Sequence, residues 1–265
     1  VLEAFLIKPF FTLILIVICC SLLGVFILWK KLSYFGDAFS HSILLGLVLS
    51  LILQTNQIAT LLFFAVIFAV STLLISQNRY FSRDTIIMIL SYFFVALALI
   101  FNDMWAKNFY LTSYVFGDVL TSGDIELQTL GAITIITVFY MIFAFNKTLL
   151  INISADLAEV EGIKSQWWNL SFLILLAAVI ALSVKIVGVF LMTALLILPA
   201  AIARIFSVSA KQMLMLSLTA GISVCTFSFK IASYYDLATG PTIIAIFVLI
   251  FLTSLIIKTK LTGRR

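Results

Sequence analysis

An all-α, polytopic membrane protein is what the sequence predicts, and three observations carry that prediction. Apolar runs of about 20 residues, the length that spans a bilayer as a helix, recur from one end of the chain to the other. Of the 265 residues, 64% are hydrophobic and only 10% charged, and the mean hydropathy is +1.26, far from the usage of water-soluble domains. No run alternates apolar and polar residues with the two-residue period of a membrane β-barrel, and no internal repeat is visible. Nothing is left over to build a separate soluble core, so a single membrane domain over 1–265 is expected.

The first run, Pro9 to Leu28, is too long for a signal-peptide core and has no small-residue cleavage pattern after it, so it reads as a retained helix over 9–30. Polar punctuation divides the rest into helices over 37–53, 58–77, 84–102, 127–145, 168–184, 186–203, 211–229 and 241–257, about nine in all (eight to nine). The number turns on 168–203, whose 36 residues are too many for one crossing, since roughly 20 suffice at about 1.5 Å per residue. Lys185 followed shortly by Gly188 sits at its centre, and two helices joined by a tight turn is the better reading.

Charge placement sets the expected orientation. With nine crossings and the N-terminus outside, the inner loops hold Lys30, Lys31, Arg79, Arg83, Lys147, Lys164, Arg204, Lys211, Lys258, Lys260, Arg264 and Arg265, against Lys8, Lys107, Lys185 and Lys230 outside. That split follows the positive-inside rule and is spoiled by adding or dropping one helix, so N outside and C inside is expected. The net charge of +5 therefore speaks of topology rather than of nucleic acid. Cys19, Cys20 and Cys225 all lie in apolar runs, suggesting neither a disulfide framework nor a thiolate metal cage.

Two connections stand out. FNDMWAKNFYLTSYVFGDVLTSGD, 101–124, is too polar for a span and too aromatic for a free loop, which predicts an interfacial or re-entrant segment packed on the bundle. The other holds SADLAEVEGI, which reads as a short helix facing the cytoplasm, with Ser154 as N-cap, Asp156 and Glu159 in its first turns and Gly162 as its stop. It is either a solvated connector or a docking element for a partner.

The chemistry concentrates in SYFGDAFSHSILLG, 33–46. Asp37 and the single histidine, His41, are spaced i and i+4, so on a helix they share a face and can converge on one ion. Imidazole nitrogen with carboxylate oxygen suits a borderline divalent metal such as zinc or manganese. Two ligands do not complete a tetrahedral site, whereas the same pair from a two-fold-related copy would. Spacing alone leaves open that Asp37 caps the helix and His41 merely decorates it. Catalytic readings fail: one histidine excludes an HExxH pair, no GxSxG elbow occurs, and no GxxxxGK[ST] loop is present to hold ATP. ATP-driven work would need another subunit.

KKLSYFGDAFSHSILLG, 30–46, closely resembles the signature after the first helix of membrane permease subunits in bacterial zinc, manganese and iron ABC importers, the zinc-uptake permeases above all. SYVFGDVL at 113–120, ISADLAEVEGIK at 153–164, KIVGVFLMTALLILPAAIAR at 185–204 and ASYYDLATGP at 232–241 match in the same order, so the resemblance covers essentially the whole chain. It implies a permease of the bacterial inner membrane that is not itself an enzyme, forms a homodimer, docks a cytoplasmic ATPase dimer and receives metal from an extracytoplasmic binding protein. Zn2+ would be the cargo, with Mn2+ or Fe2+ the alternatives, and no cofactor would be permanently bound. The resemblance makes Asp37 and His41 the metal-coordinating pair and the segment with Ser154, Asp156, Ala158, Glu159, Glu161 and Gly162 the coupling helix. Ala155 stands where zinc permeases often have proline, and Glu159 where they are often apolar.

Gly188 and Pro199 are candidate hinges for alternating access, with close helix packing through Ala194, Ala200, Ala201 and Ala203 the other reading of Pro199. Asp118 and Asp236 have matching surroundings but no evident chemistry beyond a cap or turn. An ATPase-independent secondary carrier or channel is the rival of another class, although carriers often show paired half-repeats and none is visible.

Overall fold

The computed structural model describes residues 4–75, 82–105, 117 and 119–262, and among these every regular element is helical. They are α1 (Ala4–Trp29), α2 (Ser33–Ile52), α3 (Gln57–Ile75), α4 (Arg83–Trp105), a 3-10 turn (Val119–Thr121), α5 (Asp124–Ile153), α6 (Ala155–Val160), α7 (Ser165–Phe206), α8 (Ala210–Tyr234) and α9 (Thr239–Thr262). Eight are long and apolar enough to cross a membrane. A helix satisfies its backbone N–H and C=O groups within the segment, as lipid demands.

The 42 residues of α7 would extend about 63 Å as one straight rod, roughly twice the hydrocarbon thickness. Gly188 breaks it, at φ 77° and ψ 163°. The first half starts beside the finish of α1, where Lys30 Nζ donates to Asn169 Oδ1 at 2.5 Å and Phe172 packs edge-on to Phe26. It rises to Lys185, whose ammonium meets Glu126 at the start of α5 at 2.8 Å. The second half returns: Ala200 and Ala203 cluster with Val25, and Arg204 shares a cavity with Leu28 and Trp29. The expected reversal therefore falls at Gly188, with the helix running through Lys185. Eight long helices make nine traverses among the described residues.

We call the end where α1 begins the upper end and the other the lower end. α1 and α7 form the centre, with α2, α3 and α4 on one side and α5, α8 and α9 on the other. Their contact is close because Gly24 has no side chain: a Cβ there would overlap the Leu196 carbonyl of α7. Pro199 is buried inside the second half of α7, and only Gly188 departs from helical geometry in that element. Ala200 and Ala203 are buried while Ala194 and Ala201 are partly exposed, so only part of the small-residue stripe serves this packing.

Helix ends differ from expectation. α2 begins at Ser33, so Asp37 lies in its second turn and is not its cap. α5 runs from Asp124 to Ile153, longer at both ends than its apolar core, because Gly123 N–H bonds Glu126 and polar residues continue the helix below. Lys31, Gln54 and Asp236 take left-handed φ of 56°, 51° and 52° as helix stops. Asp236 is thus a turn residue, with Leu237 N–H closing onto Ala232 O at 2.9 Å. Of 101–124, Phe101–Trp105 completes α4 and Gly117 lies against Gly188. Asp118 and residues 106–116 of the expected re-entrant segment lie outside the described residues.

Lys30, Lys31, Lys147, Lys164, Arg204 and Lys211 lie toward the lower end, Lys8, Lys185 and Lys230 toward the upper. There Lys8 and Lys185 pair with Asp124 and Glu126 at 2.7 and 2.8 Å, tying α1 and α7 to the first turn of α5. Gly24→Val should lower stability by about 1–3 kcal/mol or more, the usual cost of overpacking, read as a reduced thermal midpoint in detergent. An unchanged midpoint would show that α1 and α7 do not need this contact.

Candidate functional site

FGDAFSH contains two i, i+4 pairs offset by two residues: Phe35 with Phe39, and Asp37 with His41. At about 100° per residue an offset of two turns one pair nearly opposite the other. Phe35 and Phe39 are fully buried and stack on each other, and Phe68 of α3 meets them at ring distances of 5.6 and 5.0 Å. Phe94 of α4 closes the cluster against Phe68 at 5.8 Å. With that face anchored, Asp37 and His41 must face outward.

Their side chains are 57% and 41% exposed, and His41 Nε2 lies 3.7 Å from Asp37 Oδ1. This is close enough for both to touch one ion and too long for a hydrogen bond. With Tyr34 they form the open stripe of a helix otherwise buried from Ser42 to Val48. Among the described residues no group of three or more His, Cys, Asp or Glu could hold a metal, so this chain alone offers two candidate ligands here. All three cysteines are buried and free, and Cys19 bonds Thr134 of α5, which fits packing rather than ligation.

Sequence reasoning missed what steadies the pair. The Ala38 carbonyl, next to Asp37, accepts from Ser42 Oγ at 2.7 Å and from Ser91 Oγ of α4 at 2.9 Å. α4 thereby grips the turn that carries Asp37 and His41. Nothing local to Ser91 signals a contact 53 residues away.

At the lower end α6 forms as expected. Ser154 Oγ accepts from Leu157 N–H at 3.3 Å, and the stop is a paired closure: Gly162 N–H to Glu159 O and Ile163 N–H to Ala158 O, both 2.9 Å, with Gly162 at φ 77°. Asp156, Glu159, Glu161 and Gly162 are exposed, whereas Ala158 is fully buried and serves to seat the helix. Leu157 at 56% and Val160 at 85% exposure are apolar surface that the polar residues had hidden from sequence reading. An i, i+3 apolar pair among acids was the available signal.

The ABC 3 transport family matches residues 3–258. The chain belongs to this family. It is 32% identical over 240 residues to the high-affinity zinc uptake system membrane protein ZnuB of Haemophilus influenzae, covering 90% of this chain and 92% of that protein. To the manganese import system permease protein ScaB of Streptococcus gordonii it is 30% identical over 256 residues, 97% of this chain and 92% of the relative. Among solved structures, PsaBC from Streptococcus pneumoniae in complex with Fab superposes with a TM-score of 0.82 at 27% identity, over 96% of this chain and 91% of that one. The protein is accordingly the multi-pass membrane permease of a bacterial ABC metal importer. It is the subunit without ATPase activity, and such a permease works with an ATP-hydrolysing partner and a binding protein. An ATPase-independent carrier is set aside.

Phe39→Ala should cost about 3–5 kcal/mol, as large-to-small core changes do, and should also lower transport, because the anchor that turns Asp37 and His41 outward is weakened. Loss of stability with transport per folded molecule unchanged would separate the aromatic anchor from the site.

Proposed function

We propose that this permease carries zinc, and that Asp37 and His41 of two copies related by a two-fold axis form its transient N2O2 resting place. The observation that carries this reading is the exposed Asp37–His41 stripe on an otherwise buried helix, two ligands short of a tetrahedral set. Zinc is supported by the name of the 32% identical relative. Manganese is the second reading, supported by the 30% identical manganese permease. Uptake of radiolabelled zinc against manganese by the reconstituted complex decides between them.

The basic lower end is the cytoplasmic one by the positive-inside rule, which sets the N-terminus outside and the C-terminus inside. Metal delivered by the binding protein enters at the upper end, rests at the paired ligands and leaves below. α6 docks into the ATPase through its acidic and apolar outer face. The reversal at Gly188 is a fixed turn in this reading, and Pro199, buried within the returning half of α7, is a packing residue rather than a hinge.

His41→Ala should reduce zinc uptake at least about tenfold at matched protein level, since even outer-shell losses cost about 10–100-fold in metal affinity or activity. Asp37→Asn should act alike. Wild-type uptake in either variant would refute the coordination.

Gly162→Val places a β-branched residue at a left-handed position and should unseat the stop of α6. Asp156→Lys puts a cation at the positive end of that helix. Both should lower stimulation of ATP hydrolysis while zinc binding to the complex persists. Normal coupling in both, with no crosslink to the ATPase from cysteines placed at 155–162, would remove α6 from the mechanism.

A further inference from the structure

A cavity of about 510 Å³ opens at the lower end, between the finishes of α1, α5 and α7. Lys31 and Arg204 line it, and no acid does. Lys31 reaches it from the left-handed stop of α1, φ 56°, where glycine would sit without strain. Two other lining residues carry buried donors with no partner among the described residues: Trp29 Nε1–H and Asn152 Nδ2. Buried donors are almost always satisfied. Two cations and two unpartnered donors around one cavity suit an anion with several acceptor oxygens, and phosphate is the commonest.

A second cavity, about 430 Å³, lies between α5 and α8 over Leu22 of α1. Met141, Ile142, Phe145 and Met215 give it apolar walls, and Lys211 lies at its lower end. It opens on the surface where Phe139, Ile142 and Phe143 are exposed, an apolar face that belongs against acyl chains. The two cavities follow one stripe of α5, with Met141, Ile142 and Phe145 in the second and Leu149, Asn152 and Ile153 in the first. An apolar groove leading to a basic, donor-rich cleft has the division of a phospholipid.

We propose that the lower ends of α1, α5, α7 and α8 bind an anionic phospholipid, with its phosphate on Lys31, Arg204, Trp29 Nε1 and Asn152 and an acyl chain in the groove between α5 and α8. Basic pockets between membrane helices at this level recognise anionic headgroups. The apolar groove favours lipid over free phosphate or over a carboxylate of the ATPase. The site depends on the membrane placement of the chain and not on which metal is carried. It shares no residue with the Asp37–His41 stripe.

The full-length permease with its ATPase partner, purified in detergent, is titrated with dioleoylphosphatidylglycerol, dioleoylphosphatidylcholine and inorganic phosphate, and bound species are counted by native mass spectrometry. Phosphatidylglycerol should be retained and phosphatidylcholine not. Combined Lys31→Gln and Arg204→Gln, at exposed positions that leave the core intact, should weaken phosphatidylglycerol about 30-fold, from about fivefold for each cation. Trp29→Phe, which keeps the ring against Phe26, should weaken it a few-fold. Met215→Asp in the groove should lower lipid binding alone. Equal retention of the two lipids, or no change in the double variant, overturns the proposal. Inorganic phosphate binding as tightly as the lipid would make this a free-anion site, and retention only after the ATPase is removed would make it a protein contact. Either result also overturns it.

Discussion

The close seating of α1 against the returning half of α7 is the contact on which the rest of the bundle is built. Lipid offers no hydrophobic drive between helices, so their association relies on van der Waals packing and on the few polar contacts available. Gly24 lets the α1 backbone reach the Leu196 carbonyl, and Ala200 and Ala203 keep the approach smooth. Pro199 leaves the helix one internal hydrogen bond short just below that point. Around this post, α8 is held by Ser217 Oγ donating to Ser21 O at 2.9 Å, and the first turn of α5 is tied by the upper ion pairs.

The functional face follows from one rotation angle. α2 is buried on three sides, and its phenylalanines decide which residues remain outside. Because the aromatic pair and the polar pair are two residues apart, burying one exposes the other. Ser91 then secures the level of the turn through the Ala38 carbonyl, so α4 steadies a polar pair that it does not itself carry. Exposure of a carboxylate and an imidazole on such a helix is costly in lipid unless protein or water covers them. That cost is the physical argument for a second copy on this side.

Much of the bundle was legible beforehand. Each run longer than about 18 apolar residues became a helix, since a bilayer leaves a backbone few other choices. Length required a reversal within 165–206, and Lys185 with Gly188 marked its place. The stop of α6 could be read from Gly162. Helix ends were less legible: the start of α2 at Ser33 and the length of α5 depend on polar residues whose backbone bonds are met by neighbours rather than by hydropathy. The turn at Asp236 looked chemically ambiguous because aspartate is among the few residues that enter left-handed geometry readily.

Composition and period by themselves determined that this chain is a helical membrane protein, that Asp37 and His41 share a face, and that a capped helix lies between α5 and α7. These are local or one-dimensional facts, fixed by backbone bonding in lipid and by 3.6 residues per turn. Tertiary structure alone decided that the shared face is the open one, that Ser91 grips it, that Ala158 seats the short helix while Leu157 and Val160 project from it, and that Lys31, Arg204 and two unpartnered donors line one cleft. Each of these joins residues tens to well over a hundred positions apart, or depends on how a helix is turned about its own axis. Neither is set by any single segment, because both depend on what the neighbouring helices press against.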